Sequence, residues 1–136
     1  LYGANAGELV AEAMSGRSAQ RLGVAQVAAH NIGAEECREW CQTHLLVLFN
    51  DPDAKVRRVA ASCFRYLENR PLETYEALIQ AFCDSAAYAE DSFSIFHALE
   101  ASVHRLPGIV CQVAGKFLDR FTTEAKDIRT HRAGDP

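Results

Sequence analysis

The sequence has no apolar run approaching the roughly 20 residues that a membrane span requires. Its longest such run is Leu45–Phe49. A basic excess is missing too: the formal charge is −4, which argues against a dedicated nucleic-acid binder. There is no G-x-x-x-x-G-K-[ST] loop and no G-x-G-x-x-G, so nothing supplies a nucleotide phosphate cradle. A G-x-S-x-G elbow is also absent, which removes one route to a nucleophilic serine. Gly3, Gly7, Gly16, Gly23 and Gly33 are scattered as helix punctuation rather than gathered in a loop. The strict alternation of a half-buried strand is found nowhere. The chain opens Leu1-Tyr2-Gly3, with no Met and no secretory pattern, and is expected to be a fragment of a longer protein. Five cysteines (Cys37, Cys41, Cys63, Cys83, Cys111) are odd in number and sit in apolar helical patterns. They read as reduced thiols of a cytoplasmic protein.

What is present is helical spacing almost throughout. At 136 residues, 49% hydrophobic and 24% charged, the chain suits one soluble domain with a real core. The spacing predicts helices over about 6–15, 18–32, 34–49, 52–68, 71–83, 91–105 and 108–121. Their inward stripes are Leu9, Val10, Ala13 and Met14; Val24, Ala25, Ala28 and Ile32; and Cys37, Trp40, Cys41, Leu45 and Leu48. They continue with Val56, Val59, Ala60, Cys63 and Leu67; Leu72, Tyr75, Ile79, Phe82 and Cys83; and Phe96, Leu99 and Val103. The last stripe is Val110, Val113, Ala114, Phe117 and Phe121. Gly33 is expected to close the second helix with positive φ. The domain runs over 1–121, with 122–136 a polar tail or a truncated next repeat.

The most informative stretch is 45–67, LLVLFNDPDAKVRRVAASCFRYL. Asn50-Asp51-Pro52-Asp53 stops one helix and starts another. Proline suits the first helical position, and Asp51 or Asp53 can cap free backbone N–H groups. So short a link brings the two helices antiparallel. The segment resembles a HEAT repeat, through Asp51, Val56-Arg57, Ala60, Ala61 and Leu67. Val24-Ala25, Ala28 and Ile32 recur 35 residues later as Val59-Ala60, Cys63 and Leu67, a period that fits two-helix units. The resemblance is specific over about 34–68 and architectural elsewhere. It implies an all-α, armadillo-like solenoid: a HEAT-like superhelix of about three antiparallel helix pairs plus a terminal helix. It also implies that Arg57 pairs with Asp51 in a ladder locking successive repeats. The run from Arg57 to Phe121 looks like the repeat regions following nucleotide-binding or effector modules in large bacterial proteins.

Charge is uneven. Residues 51–70 carry Lys55, Arg57, Arg58, Arg65 and Arg70 against three acids, whereas 71–104 carry six acids and no Lys or Arg. Lys55, Arg58, Arg65 and Tyr66 are the candidate partner-binding residues, since Arg and Tyr suit interfaces. The expected function is a non-catalytic scaffold binding another protein or another part of its own chain. A nucleic-acid-binding repeat seeded by Lys55, Arg58, Arg65 and Arg70 is the alternative, opposed by the acidic stretch. A helical-repeat enzyme comes third.

Chemistry-bearing clusters have bland readings. Cys37, Cys41 and His44 share one helical face with Trp40, Leu45 and Leu48, which points to core rather than zinc. His97, Glu100 and His104 lie on one face, read as a hydrophilic surface. Some helical-repeat hydroxylases hold di-iron through His-Glu dipeptides, and no His here precedes Glu. No cofactor or metal is expected.

Overall fold

Short polar side chains punctuate an all-α chain. The computed structural model describes residues 2–100 and 107–119, and among these every regular element is helical. Helix α1 is Tyr2–Met14, α2 Ser18–Asn31, α3 Arg38–Leu48 and α4 Ala54–Ala61. Helix α5 is Glu76–Cys83, α6 Ala87–Glu90 and α7 Phe93–Glu100, and α8 spans 107–119. Three 3₁₀ segments, Glu35–Cys37, Ser62–Leu67 and Leu72–Tyr75, lead into or out of helices. Helix α2 packs on α1, α3 and α4, and the segment Ser62–Leu67 bridges α2 and α7. Helix α4 meets α6, and α3 meets α5.

Local chemistry explains several boundaries. Gln20 Oε1 accepts from the Arg17 amide at 2.9 Å, opening α2 where Ser18 predicted it. Asp53 caps α4, accepting from Lys55 N at 2.8 Å, while Asp51 Oδ1 accepts from Asp53 N at 2.9 Å. Pro52 therefore lies in the turn, not at the first helical position, which Ala54 takes. The single helix expected over 91–105 is led by the short α6. Its start is held from outside, by Ala87 N donating to Phe49 O at 3.0 Å and Ala86 N to Asn50 Oδ1 at 3.1 Å. Asp91 then caps α7, accepting from Ser94 N and Ser94 Oγ at 3.2 and 2.7 Å.

The core follows most of the predicted stripes. Ala25, Ala28 and Ala29 of α2 and Ala60 and Ala61 of α4 are all fully buried, and such small side chains let the two backbones approach closely. At the centre the rings of Phe49, Phe64, Phe82 and Tyr88 meet at centroid separations of 4.9–6.2 Å. Phe64 was not on the predicted stripe. The change to 3₁₀ winding after Ala61 brings residues three apart onto one side, so Phe64 and Leu67 both turn inward while Val59 stays half-buried. Leu9 is 65% exposed rather than inward, because among the described residues α1 packs chiefly on α2. Phe117 is 38% exposed, though its ring meets Phe96 edge-on at 5.3 Å. Val103, Phe121 and the segment 122–136 lie outside the described residues.

Gly33 corrects another expectation. No described glycine has positive φ, so Gly33 is not there for left-handed backbone. A Cβ at that position would stand 2.9 Å from the Tyr66 carbonyl oxygen and 3.3 Å from Arg70 Nε. Smallness is what the contact between the end of α2 and Tyr66 demands. Gly33→Ala is expected to lower the unfolding free energy by about 1–3 kcal/mol in urea titrations. A loss under about 0.5 kcal/mol would show that this contact relaxes freely.

Candidate interaction face

The ladder expected between Arg57 and Asp51 is built differently. Arg57 Nη1 donates to the backbone carbonyls of Asp51 and Pro52 at 2.7 and 3.1 Å, and Nη2 pairs with Glu90 Oε1 of α6 at 2.6 Å. The Asp51 carboxylate is taken instead by Arg21 of α2, through Nε at 2.6 Å and Nη2 at 3.3 Å. Asp51 is already committed to its own turn, so its remaining lone pairs face α2 rather than α4. The rungs therefore join residues 30 and 33 apart, tying α2 to the turn before α4 and α4 to α6. The hydrogen bond to Asp51 raises the Arg21 pKa further above its ordinary value.

These pairings change the charge map. Arg57 meets Glu90, Arg65 Nη2 lies 3.9 Å from Asp91, and His97 Nε2 lies 3.3 Å from Glu68. The basic segment 51–70 thus lies against the acidic one that follows it, and part of the contrast is neutralised internally.

The four candidate partner-binding residues are all exposed. Lys55 borders a cleft of about 190 Å³ with Ser18, Leu22, Asp53 and Val56, and Arg58 points into solvent. Tyr66 is 40% exposed, and its hydroxyl lies 2.9 Å from His30 Nε2, with the two rings 4.7 Å apart. Because His30 Nδ1 contacts the Gln26 carbonyl at 2.8 Å, a neutral ring donates there and Nε2 accepts from Tyr66. Arg65 lines a cleft of about 310 Å³ with Phe93, Ser94 and His97. Two exposed groups result: His30 of α2 with Tyr66 of the 3₁₀ segment, and Arg65 of that segment with Phe93 and His97 of α7. Phe93 is 83% exposed. Nothing in its local sequence distinguishes it from the buried aromatics, which is why spacing alone did not mark it.

No protein-family model, curated protein or solved structure matches this chain.

Other clusters offer little chemistry. Cys41 is fully buried, and burial, followed by nearby Cys37, pushes its thiol pKa up to about 11. Burial likewise holds Cys63 well above the ordinary thiol value, so neither is a ready nucleophile. His44 Nδ1 contacts the Trp40 carbonyl at 2.8 Å, and no group of three or more metal-type ligands converges among the described residues. His104 lies outside those residues, so the His97–Glu100–His104 face is described only in part. No described helix is long and apolar enough to cross a membrane.

The raised Cys41 pKa carries a pH signature. A thiol that holds its proton more tightly when folded stabilises the fold fully below its unfolded pKa, and that contribution is lost as pH rises. Stability is therefore expected to fall between pH 9.0 and about 11. Cys41→Ser should flatten that decline relative to the parent chain in guanidinium titrations across this range. An unchanged slope would remove Cys41 as its cause.

Proposed function

We propose that this chain is a non-catalytic, HEAT-like helical-repeat module that presents its exposed His30, Tyr66, Arg65, Phe93 and His97 side chains to another protein or to another part of its own chain. One observation carries the reading: two exposed groups of aromatic and cationic side chains, His30 with Tyr66 and Arg65 with Phe93 and His97, are presented by neighbouring residues of one 3₁₀ segment. Tyr and Arg supply much of the energy at protein interfaces, and an exposed apolar side chain among them is an anchor in search of a pocket. The repeat aspect is supported by the two rungs of similar span and by packing that passes from α2 to α4 and then to α6. Stacked repeats of this type form broad surfaces without built-in chemistry.

The duplex-binding alternative loses force from the same geometry. Arg57 already pairs with Glu90, and Asp91 lies 3.9 Å from Arg65, leaving Lys55, Arg58, Arg70 and a partly offset Arg65 to meet phosphates. A few contacts of that kind give little affinity at about 150 mM salt.

The test places a photo-crosslinking benzoylphenylalanine at position 93 in the longest native form of the protein, expressed in its own cells. One discrete crosslinked polypeptide, weakened by Tyr66→Ala and absent from a probe at exposed Glu73, is expected. Absence of any specific adduct from position 93 would defeat the reading. So would micromolar duplex binding at about 150 mM salt that Arg58→Glu and Arg65→Glu weaken.

A further inference from the structure

Two arginines gather at the end of α2, away from the groups just described. Gly33 follows that helix, and a Cβ there would stand 3.3 Å from Arg70 Nε. Arg70 therefore lies close against the Gly33 backbone, and its own amide donates to the Leu67 carbonyl at 3.1 Å. Next to Gly33, the Ile32 carbonyl accepts from the hydroxyl of buried Tyr75 at 2.9 Å. That carbonyl is one of the free acceptors at a helix end, and Tyr75 rather than an arginine satisfies it. Arg38, the first residue of α3, also reaches the Tyr75 hydroxyl. Burial raises the Tyr75 pKa, while the Arg38 charge, a hydrogen bond from Arg38 and the Arg70 charge oppose the rise. No carboxylate is among the groups acting on it. Glu35, Glu36 and Glu39 neighbour Arg38 in sequence but are exposed, Glu68 meets His97 at 3.3 Å, and Glu73 lines a separate cleft with Thr74 and Glu76. Among the described residues, neither Arg38 nor Arg70 forms an ion pair with a carboxylate, whereas Arg21, Arg57 and Arg65 have one at 2.6, 2.6 and 3.9 Å.

We propose that Arg38 and Arg70, converging on the Tyr75 hydroxyl beside Gly33, form a binding site for a phosphate dianion, free or as a monoester. Each guanidinium is a planar fork that matches phosphate oxygens in pairs. Charge balance selects the ligand. A carboxylate or a phosphodiester brings one negative charge and offsets one arginine, whereas a phosphate dianion offsets both. Arg70 is exposed and Arg38 half-buried, so a small ion can reach them from solvent. The close fit of Arg70 against Gly33 places its side chain in advance, and less rotamer freedom is lost on binding. Residues 71–104 contain no Lys or Arg, so the pair does not continue into the phosphate track that a duplex would need. The site is independent of the interaction reading above.

The test is an NMR titration of the isotopically labelled 136-residue chain at constant ionic strength and about pH 8, where a phosphate monoester carries two charges. The signals followed are the Arg38 and Arg70 guanidinium carbons (Cζ) and the Gly33 amide. The probes are inorganic phosphate, phosphoserine blocked at both ends, dimethyl phosphate and acetate. The first two are expected to shift all three signals saturably, with Kd on the order of 1 mM, and the two monoanions to bind at least about tenfold more weakly. Tighter binding of blocked phosphoserine supports the site with a phosphorylated side chain as its source, and equal or tighter binding of inorganic phosphate supports it with free phosphate. Arg38→Gln and Arg70→Gln should each weaken phosphate binding at least about tenfold, and the corresponding Lys variants several-fold. Arg17→Gln, which removes an exposed guanidinium at the opposite end of α2, should leave it unchanged. Lack of saturation by phosphate, equal affinity for acetate and phosphate, or an equal loss in Arg17→Gln would overturn the proposal. So would undiminished binding by either Gln variant with unchanged circular dichroism, or, where a Gln variant unfolds, by the folded Lys variant at that position. Failure here alongside a specific crosslink from position 93 would discard the phosphate site and leave the interaction reading standing.

Discussion

Phe82→Ala is expected to lower the unfolding free energy by about 3–5 kcal/mol. Phe82 is fully buried on α5 and touches three other aromatic rings, with centroids 5.3 Å from Phe49, 4.9 Å from Phe64 and 5.5 Å from Tyr88. Those rings come from the end of α3, the 3₁₀ segment Ser62–Leu67 and α6. One truncation therefore removes the side chain joining three neighbours and leaves a void that none can fill without moving its backbone. Aromatic pairs add about 0.5–1.5 kcal/mol beyond buried area, which places this site toward the upper end of core truncations. The melting temperature should drop by roughly 10–20 °C. Phe82→Leu should recover part of the loss by refilling volume without the ring contacts. A decrease below about 1 kcal/mol for the Ala variant would mean that this aromatic centre is not packed as described.

Leu67→Ala is expected to cost about 2–5 kcal/mol, and Arg65→Ala, two residues away, less than about 1. Both residues belong to the same 3₁₀ segment. Leu67 is fully buried where that segment is wedged between α2 and α7, so its removal opens a cavity against both helices. The Arg65 side chain is 64% exposed, and when it is removed Ser94 Oγ still has its bond to Asp91. Chemical denaturation of the two variants separates a packing residue from a presentation residue. Near-equal losses would put the wrong face of the segment inward.

The same pair shows how far spacing reached. The stripes Val24, Ala25, Ala28 and Ile32, and Leu72, Tyr75, Ile79, Phe82 and Cys83, are buried as their helical period predicted. Apolar recurrence at 3–4 residues leaves a chain little choice but to turn that side inward. Of the four proposed partner residues, exposure was legible because polar side chains on an amphipathic helix stay in water. What brought Arg65 beside Phe93 was not legible, since no local rule relates residues 28 apart.

By itself the sequence determined that the chain is helical, where most helices start, and which aliphatic stripes are buried. Capping by Gln20 and Asp53 and helical periodicity are local effects, decided within one or two turns. Tertiary structure alone decided that Asp51 pairs with Arg21 while Arg57 pairs with Glu90. It also decided that α6 forms on the Phe49 carbonyl and the Asn50 side chain, and that Gly33 is small because Tyr66 passes close. It set the switch to 3₁₀ winding that turns Phe64 inward. Each of these depends on which segments meet across the packed helices, and a charge or a backbone amide offers several partners of equal chemistry until packing leaves one within reach.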